Sequence, residues 1–166
     1  MTPERILSRI ATECSKREHT EYDIRKKLTS WKVDPKAVDF VVAKLVEGNF
    51  INHKRYAYAF AHDKFLISAW GRVKIAFALK QKSIDDKIID EAISQIGEKE
   101  YLDRLRSILE PKMPNLDALA PAKRRIRLLK LSLSHGFEPA IANDIVDEVI
   151  RNYQAGNAAA AQEGNT

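Results

Sequence analysis

The chain has 166 residues, 45% hydrophobic and 31% charged, with a net charge of +5 and a pI near 9.3. This is the profile of a soluble globular protein with a sizeable core, and no apolar run approaches the length that crosses a bilayer. One cysteine, Cys14, excludes an internal disulfide, and the mildly basic balance is compatible with a polyanionic partner.

Met1-Thr2-Pro3-Glu4 reads as a helix start rather than a signal peptide, so a cytosolic location is expected. Thr2 caps a first helix to about Arg17, with Ile6, Leu7, Ile10 and Cys14 facing inward. His19-Thr20 breaks it. A second helix follows from about Glu21 to Ser30, with Ile24 and Leu28 inward. Asp34-Pro35 opens a third helix, with a capping side chain and then proline at the first helical position. Gly48-Asn49 stops it. Further helices are expected over about Lys54–Ile67, Gly71–Lys82, Asp85–Ile96 and Glu98–Leu109. The segment EPKMPNLDALAP, with its three prolines, reads as a loop that is a hinge or an ordinary long connection. Ala122–Ser134 and Pro139–Tyr153 complete the helices, and the tail AGNAAAAQEGNT shows no amphipathic pattern and is expected to be disordered.

These helices repeat. When Val33, Ile84 and Phe137 are superposed as anchors, the later apolar positions coincide: Val38 with Ile89 and Ala142, Val41 with Ala92 and Ile145, Val42 with Ile93 and Val146, Leu45 with Ile96 and Val149. Each set lies on one helix face. Upstream, Ile24, Ile75 and Leu128 align, as do Leu28, Leu79 and Ser132. The serine breaks the pattern, and Leu131 and Leu133 are the candidates to offset it. The period of about 50 residues predicts an all-α chain of three tandem three-helix repeats, helix-turn-helix-like, over 1–53, 54–97 and 98–153, with the tail at 154–166. Stacked repeats would form an elongated, gently curved molecule.

Charge is sorted by helix. Residues 64–84 contain Lys64, Arg72, Lys74, Lys80 and Lys82 and no acid; residues 121–137 contain Lys123, Arg124, Arg125, Arg127 and Lys130 and no acid. The second helix of the first repeat carries Arg25, Lys26 and Lys27. The third helices are acidic, with Asp34, Asp39, Asp85, Asp86, Asp90, Glu91, Asp144, Asp147 and Glu148. Stacking in register would align the second helices as a basic stripe suited to a nucleic-acid backbone or an acidic protein groove. The competing reading is that these cations pair with the chain's own acidic helices. Acidic third helices argue against their docking in a DNA groove, because phosphate would repel them.

Catalytic signatures are missing. There is no phosphate-binding glycine loop, dinucleotide fingerprint or nucleophile elbow. His19, His53, His62 and His135 have no metal-ligand spacing, and no cysteine pair joins them. The chain reads as a non-enzyme with no cofactor and no metal.

INHKRYAYAF, WGRVKIAFALKQKSIDDKIIDEAI and KLSLSHGFEPAIANDIVDEVI together resemble the bacterial regulatory protein RecX family, over roughly residues 5–153. Arg55, Tyr56 and Ala57 match one family motif, Gly71, Arg72, Lys74 and Ile75 a second, and Gly136 and Phe137 a third. The resemblance implies tandem three-helix repeats and binding along the groove of the RecA filament on single-stranded DNA. It also implies restraint of RecA's ATP hydrolysis, filament growth and strand exchange, within DNA repair by homologous recombination and the SOS response. Two departures stand out. His53 replaces the usual acid before Arg-Tyr, and Ser83 replaces the common glycine before Ile84, so that turn must manage without glycine's freedom at positive φ.

The leading expectation is a monomeric modulator of a RecA filament. Its contacts would be Lys26, Lys27, Arg72, Lys74, Lys80, Lys82, Arg124, Arg125, Arg127 and Lys130, with Tyr56, Ile75 and Phe137 structural. The alternative is a direct DNA-binding protein that uses the same cations on phosphates without RecA. A third is an adaptor scaffold in which charge sorting serves solubility.

Overall fold

A computed structural model describes residues 1–164. Among these the regular structure is helical throughout: α1 (Pro3–Cys14), α2 (Glu21–Ser30), α3 (Pro35–Glu47), α4 (His53–Leu66), α5 (Arg72–Gln81), α6 (Asp86–Ser94), α7 (Glu98–Leu109), α8 (Pro121–Ser134) and α9 (Pro139–Glu163). Two short 3-10 turns, Glu110–Lys112 and Pro114–Leu116, lie between α7 and α8. The all-α expectation holds, and eight helices match it closely. Among those eight, the largest shift is at α1, which stops at Cys14 rather than near Arg17.

The chain folds into two compact units. The first holds residues 1–61 and 76–95: α1, α2, α3, the start of α4, the end of α5, and α6. Its core forms where α1 and α2 pack on α3, around Ile10, Leu28, Val41 and Leu45, each fully buried. Side chains satisfy the helix starts. Thr2 Oγ1 accepts from Arg5 N (3.3 Å), Thr20 Oγ1 from Asp23 N (3.1 Å), Asp34 from Lys36 N (3.0 Å) and Asn52 Oδ1 from Arg55 N (2.9 Å).

The second unit holds residues 62–75 and the chain from 96 onward: the end of α4, the start of α5, and α7 to α9. Tyr101, Leu105, Leu109, Leu128 and Phe137 are its largest buried side chains, with Met113. Met113 belongs to the proline-containing segment expected to be a hinge or an ordinary long connection. That segment contains the 3-10 turns and buries Met113 and Leu116, as a packed connection.

The repeat is visible in the backbone as well as in the core. The second helix of each three-helix set ends in one residue with positive φ: Lys32 (58°), Ser83 (59°) and Gly136 (88°). In each case the following N–H reaches back over the last turn: Val33 to Leu28 O (3.1 Å), Ile84 to Leu79 O (3.3 Å) and Phe137 to Ser132 O (3.2 Å). This is the Schellman arrangement, which satisfies carbonyls that the helix end would leave unpaired. The three sequence anchors are therefore the first residues after three equivalent helix stops, and Ile84 and Phe137 are buried there.

Two local expectations are corrected. Leu133 does not offset Ser132, while Leu131 is partly buried. Ser132 is itself fully buried and donates its Oγ to Leu128 O (2.8 Å), while Leu133 is 46% exposed. A hydroxyl bonded to the preceding turn is tolerated in a core because its polar atom is satisfied. The second correction concerns the tail. α9 continues to Glu163 with every residue beyond Tyr153 exposed, where disorder was expected from 154. Ala158–Ala161 are the strongest helix formers, and a packed helix already supplies the nucleus from which they propagate. The last two tail positions, 165 and 166, lie outside the described residues.

Candidate functional site

In the second unit, the two glycine motifs of the sequence meet. Gly71 N donates to His135 O (2.6 Å) and Val73 N to Gly136 O (3.0 Å), so the start of α5 docks on the turn between α8 and α9. Both glycines are required. A Cβ on Gly71 would run into the Gly136 carbonyl, and one on Gly136 into the Lys74 Cβ. Arg72 then turns inward. Its guanidinium lies over the Tyr101 ring (3.8 Å to the centroid) and pairs with Glu98 (2.5 Å) and Glu138 (3.2 Å). The Tyr101 hydroxyl donates to Glu138 Oε1 and accepts from Arg72 N (3.0 Å).

Burial works to lower the Arg72 pKa, but the bond to Glu98 and the charge of Glu138 outweigh it, so the guanidinium is held still more firmly charged. Burial pushes the Tyr101 phenol well above its usual range, and its bond to Glu138 adds to this. Arg72 was expected to face a partner. The structure makes it part of the unit's own scaffold, with only 22% of its side chain exposed. Lys74 lies beside this cluster. Its Nζ donates to Ser134 O (3.3 Å) and sits 4.7 Å from the Trp70 ring centroid, as does Lys64 Nζ.

Several other expected contact residues also pair within the chain. In the first unit, Lys27 is bonded to Glu13 and lies near the Trp31 ring, Lys82 is bonded to Asp23 (2.5 Å), and Lys80 is within 3.4 Å of Asp86. The bond to Asp23 raises the Lys82 pKa, and the bond to Lys27 lowers that of Glu13. In the second unit, Arg125 reaches Asp147 (2.8 Å) and Asn143 (2.9 Å), and Arg124 donates to Leu119 O (2.7 Å). Each three-helix set thus carries an ion pair between its second and third helices: Arg25–Asp39, Lys80–Asp86 and Arg125–Asp147. Part of the charge sorting is used internally.

Lys26, Arg127 and Lys130 differ. All three are exposed, and none has a carboxylate partner among the described residues; Lys123 shares this state. Of the expected structural residues, Ile75 and Phe137 are buried, while Tyr56 is half-buried and stacks on Phe60 (5.8 Å). Sequence reasoning missed the roles of Tyr101, Glu98 and Glu138. Glu138 directly follows the anchor Phe137, and its carboxylate makes no cap bond, because it is turned to Arg72 and Tyr101. No group of three His, Cys, Asp or Glu able to hold a metal ion occurs among the described residues, and no helix there is long and apolar enough to cross a membrane.

The family model described as "RecX, second three-helix domain" matches residues 52–93, which run from the cap of α4 nearly to the end of α6. A "Regulatory protein RecX" from Clostridium acetobutylicum is 27% identical over 146 residues, 86% of this chain and 67% of that protein. Another, from Clostridium botulinum strain Alaska E43, is 29% identical over 133 residues, 79% of this chain and 62% of that protein. The chain is similar to RecX proteins over most of its length. A RecX from Haemophilus influenzae is 22% identical over 135 residues, 81% of this chain and 88% of that protein. The chain thus spans about two thirds of the clostridial RecX proteins. The crystal structure of RecX from Lactobacillus salivarius shares the fold, with a TM-score of 0.79 at 20% identity, over 89% of this chain and 96% of that one. A second RecX crystal structure also reaches 0.79, at 21% identity over 87% of this chain and 71% of that one.

Proposed function

We propose that this chain is a non-enzymatic regulator that binds the RecA filament on single-stranded DNA as a monomer and restrains its ATP hydrolysis, growth and strand exchange. The observation that carries this reading is a RecX-family fold whose second helices present exposed cations, Lys26, Arg127 and Lys130, with no carboxylate of their own. Cations already desolvated and paired in the chain gain little from a new partner, whereas free ones gain a full charge-assisted contact. Several such contacts, each weak, act together on a long repetitive partner through effective concentration. The reading keeps the division into repeats at 1–53, 54–97 and 98–153, each contributing one basic second helix.

The test is RecA ATP hydrolysis on single-stranded DNA with this protein titrated in. Inhibition that saturates is expected. No effect on hydrolysis, combined with tight binding to naked single-stranded DNA whose log affinity falls linearly with log salt, would replace this reading with direct phosphate binding.

A further inference from the structure

α8 divides its five cations between two tasks. Arg124 and Arg125 are held by Leu119 O and by Asp147 and Asn143. Lys123, Arg127 and Lys130 share the opposite face, and all are exposed. On a helix their spacing spans about 10 Å at ~1.5 Å per residue. Ile126, 50% exposed, lies among them, and Leu133, 46% exposed, follows about one turn beyond Lys130 on the same helix. Lys123, Ile126, Arg127 and Lys130 line a shallow depression with Leu119, and Arg127 also borders a neighbouring one with Leu116, Leu131 and Lys112. The surface is therefore a cationic rim around an aliphatic floor.

We infer that this face of α8 docks an acidic amphipathic segment of a partner protein, with carboxylates against Lys123, Arg127 and Lys130 and apolar side chains on Ile126 and Leu133. Charge complementarity sets the sign of the partner. The floor sets its class. Exposed aliphatic side chains inside a polar rim are how protein interfaces are built. Single-stranded nucleic acid is held instead by aromatic platforms, and this surface has none. The inference rests on the filament reading only for which protein carries the segment.

The experiment measures fluorescence anisotropy of two labelled probes with the full chain: a short helical peptide with glutamates and leucines at complementary helical spacings, and an oligo-dT strand. The variants are Ile126→Ser with Leu133→Ser, and Arg127→Glu with Lys130→Glu, each checked for unchanged melting. All four positions are exposed, so folding is expected to survive. Peptide affinity should fall about tenfold or more in both variants, while the serine variant leaves oligo-dT binding unchanged. Preference for oligo-dT over the peptide, unchanged peptide affinity in the serine variant, or self-association of the chain that the variants abolish would overturn the inference. A parallel arm measures binding to RecA filaments. If the wild-type chain ignores filaments yet binds the peptide through this face, the proposed function fails and the docking surface stands. If it binds filaments and the serine variant does so equally well, the surface fails and the function stands.

Discussion

Lys32, Ser83 and Gly136 adopt the same left-handed turn, yet only one is glycine. The reason lies in what surrounds each. Lys32 and Ser83 are exposed, so they bear only the conformational strain, roughly 1–2 kcal/mol for a side chain at positive φ. Gly136 faces the Lys74 Cβ and has no room for a side chain. We expect Ser83→Gly and Lys32→Gly each to stabilise the fold by about 1 kcal/mol in urea unfolding. Gly136→Ala should destabilise by about 2–4 kcal/mol, because strain and displacement of α5 add. The turn at Ser83 was legible in the sequence as a place where glycine's freedom would be missed; the mutual exclusion of Gly71 and Gly136 was not, because it depends on a contact across 65 residues of chain.

The same scale governs the response to pH. Glu13 and Glu148 have pKa values lowered by their bonds to Lys27 and Arg106. A carboxylate with a depressed folded-state pKa contributes stability above its unfolded value near 4.5, and the contribution is lost as pH falls through the folded value. Tyr101 behaves in the opposite sense. Its folded-state pKa is raised, so its contribution is complete below its unfolded value near 10 and is lost as pH rises beyond it. Melting temperature should therefore decline below about pH 4.5 and again above about pH 10. Tyr101→Phe should flatten the alkaline decline in melting temperature.

At the scale of elements, α1, α2 and α3 were readable because each has an apolar face toward the core and a capping residue at its start. Thr2 and Asp34 cap where the sequence places a cap, and Thr20, read there only as a helix break, caps α2. What was not readable is the direction of polar side chains. Arg72 and Arg127 are both arginines in basic second helices, but one is drawn under by Tyr101, Glu98 and Glu138 from other helices, and the other is left in solvent. Arg72→Ala should cost about 2–3 kcal/mol, since it strips Glu138 of its charged partner in a half-buried setting. The described residues of α9 past Tyr153 are exposed. Ending the chain after Tyr153 should leave unfolding free energy unchanged to within about 0.5 kcal/mol while reducing the helical circular dichroism signal.

For the whole molecule, the repeat period and the motif order were sufficient to indicate the family, since both are linear properties of the chain. The proposed partner surface is not linear. It is defined by subtraction: of the ten basic residues expected as contacts, the chain's own carboxylates engage Lys27, Arg72, Lys80, Lys82 and Arg125, and backbone carbonyls engage Lys74 and Arg124. Lys26, Arg127 and Lys130 remain. The most direct test compares inhibition of RecA ATP hydrolysis on single-stranded DNA by the wild-type chain and by Lys26→Glu/Arg127→Glu/Lys130→Glu at matched melting temperature. The account predicts that the triple variant needs about tenfold or more protein for half-inhibition. Half-inhibition at the wild-type concentration would contradict it.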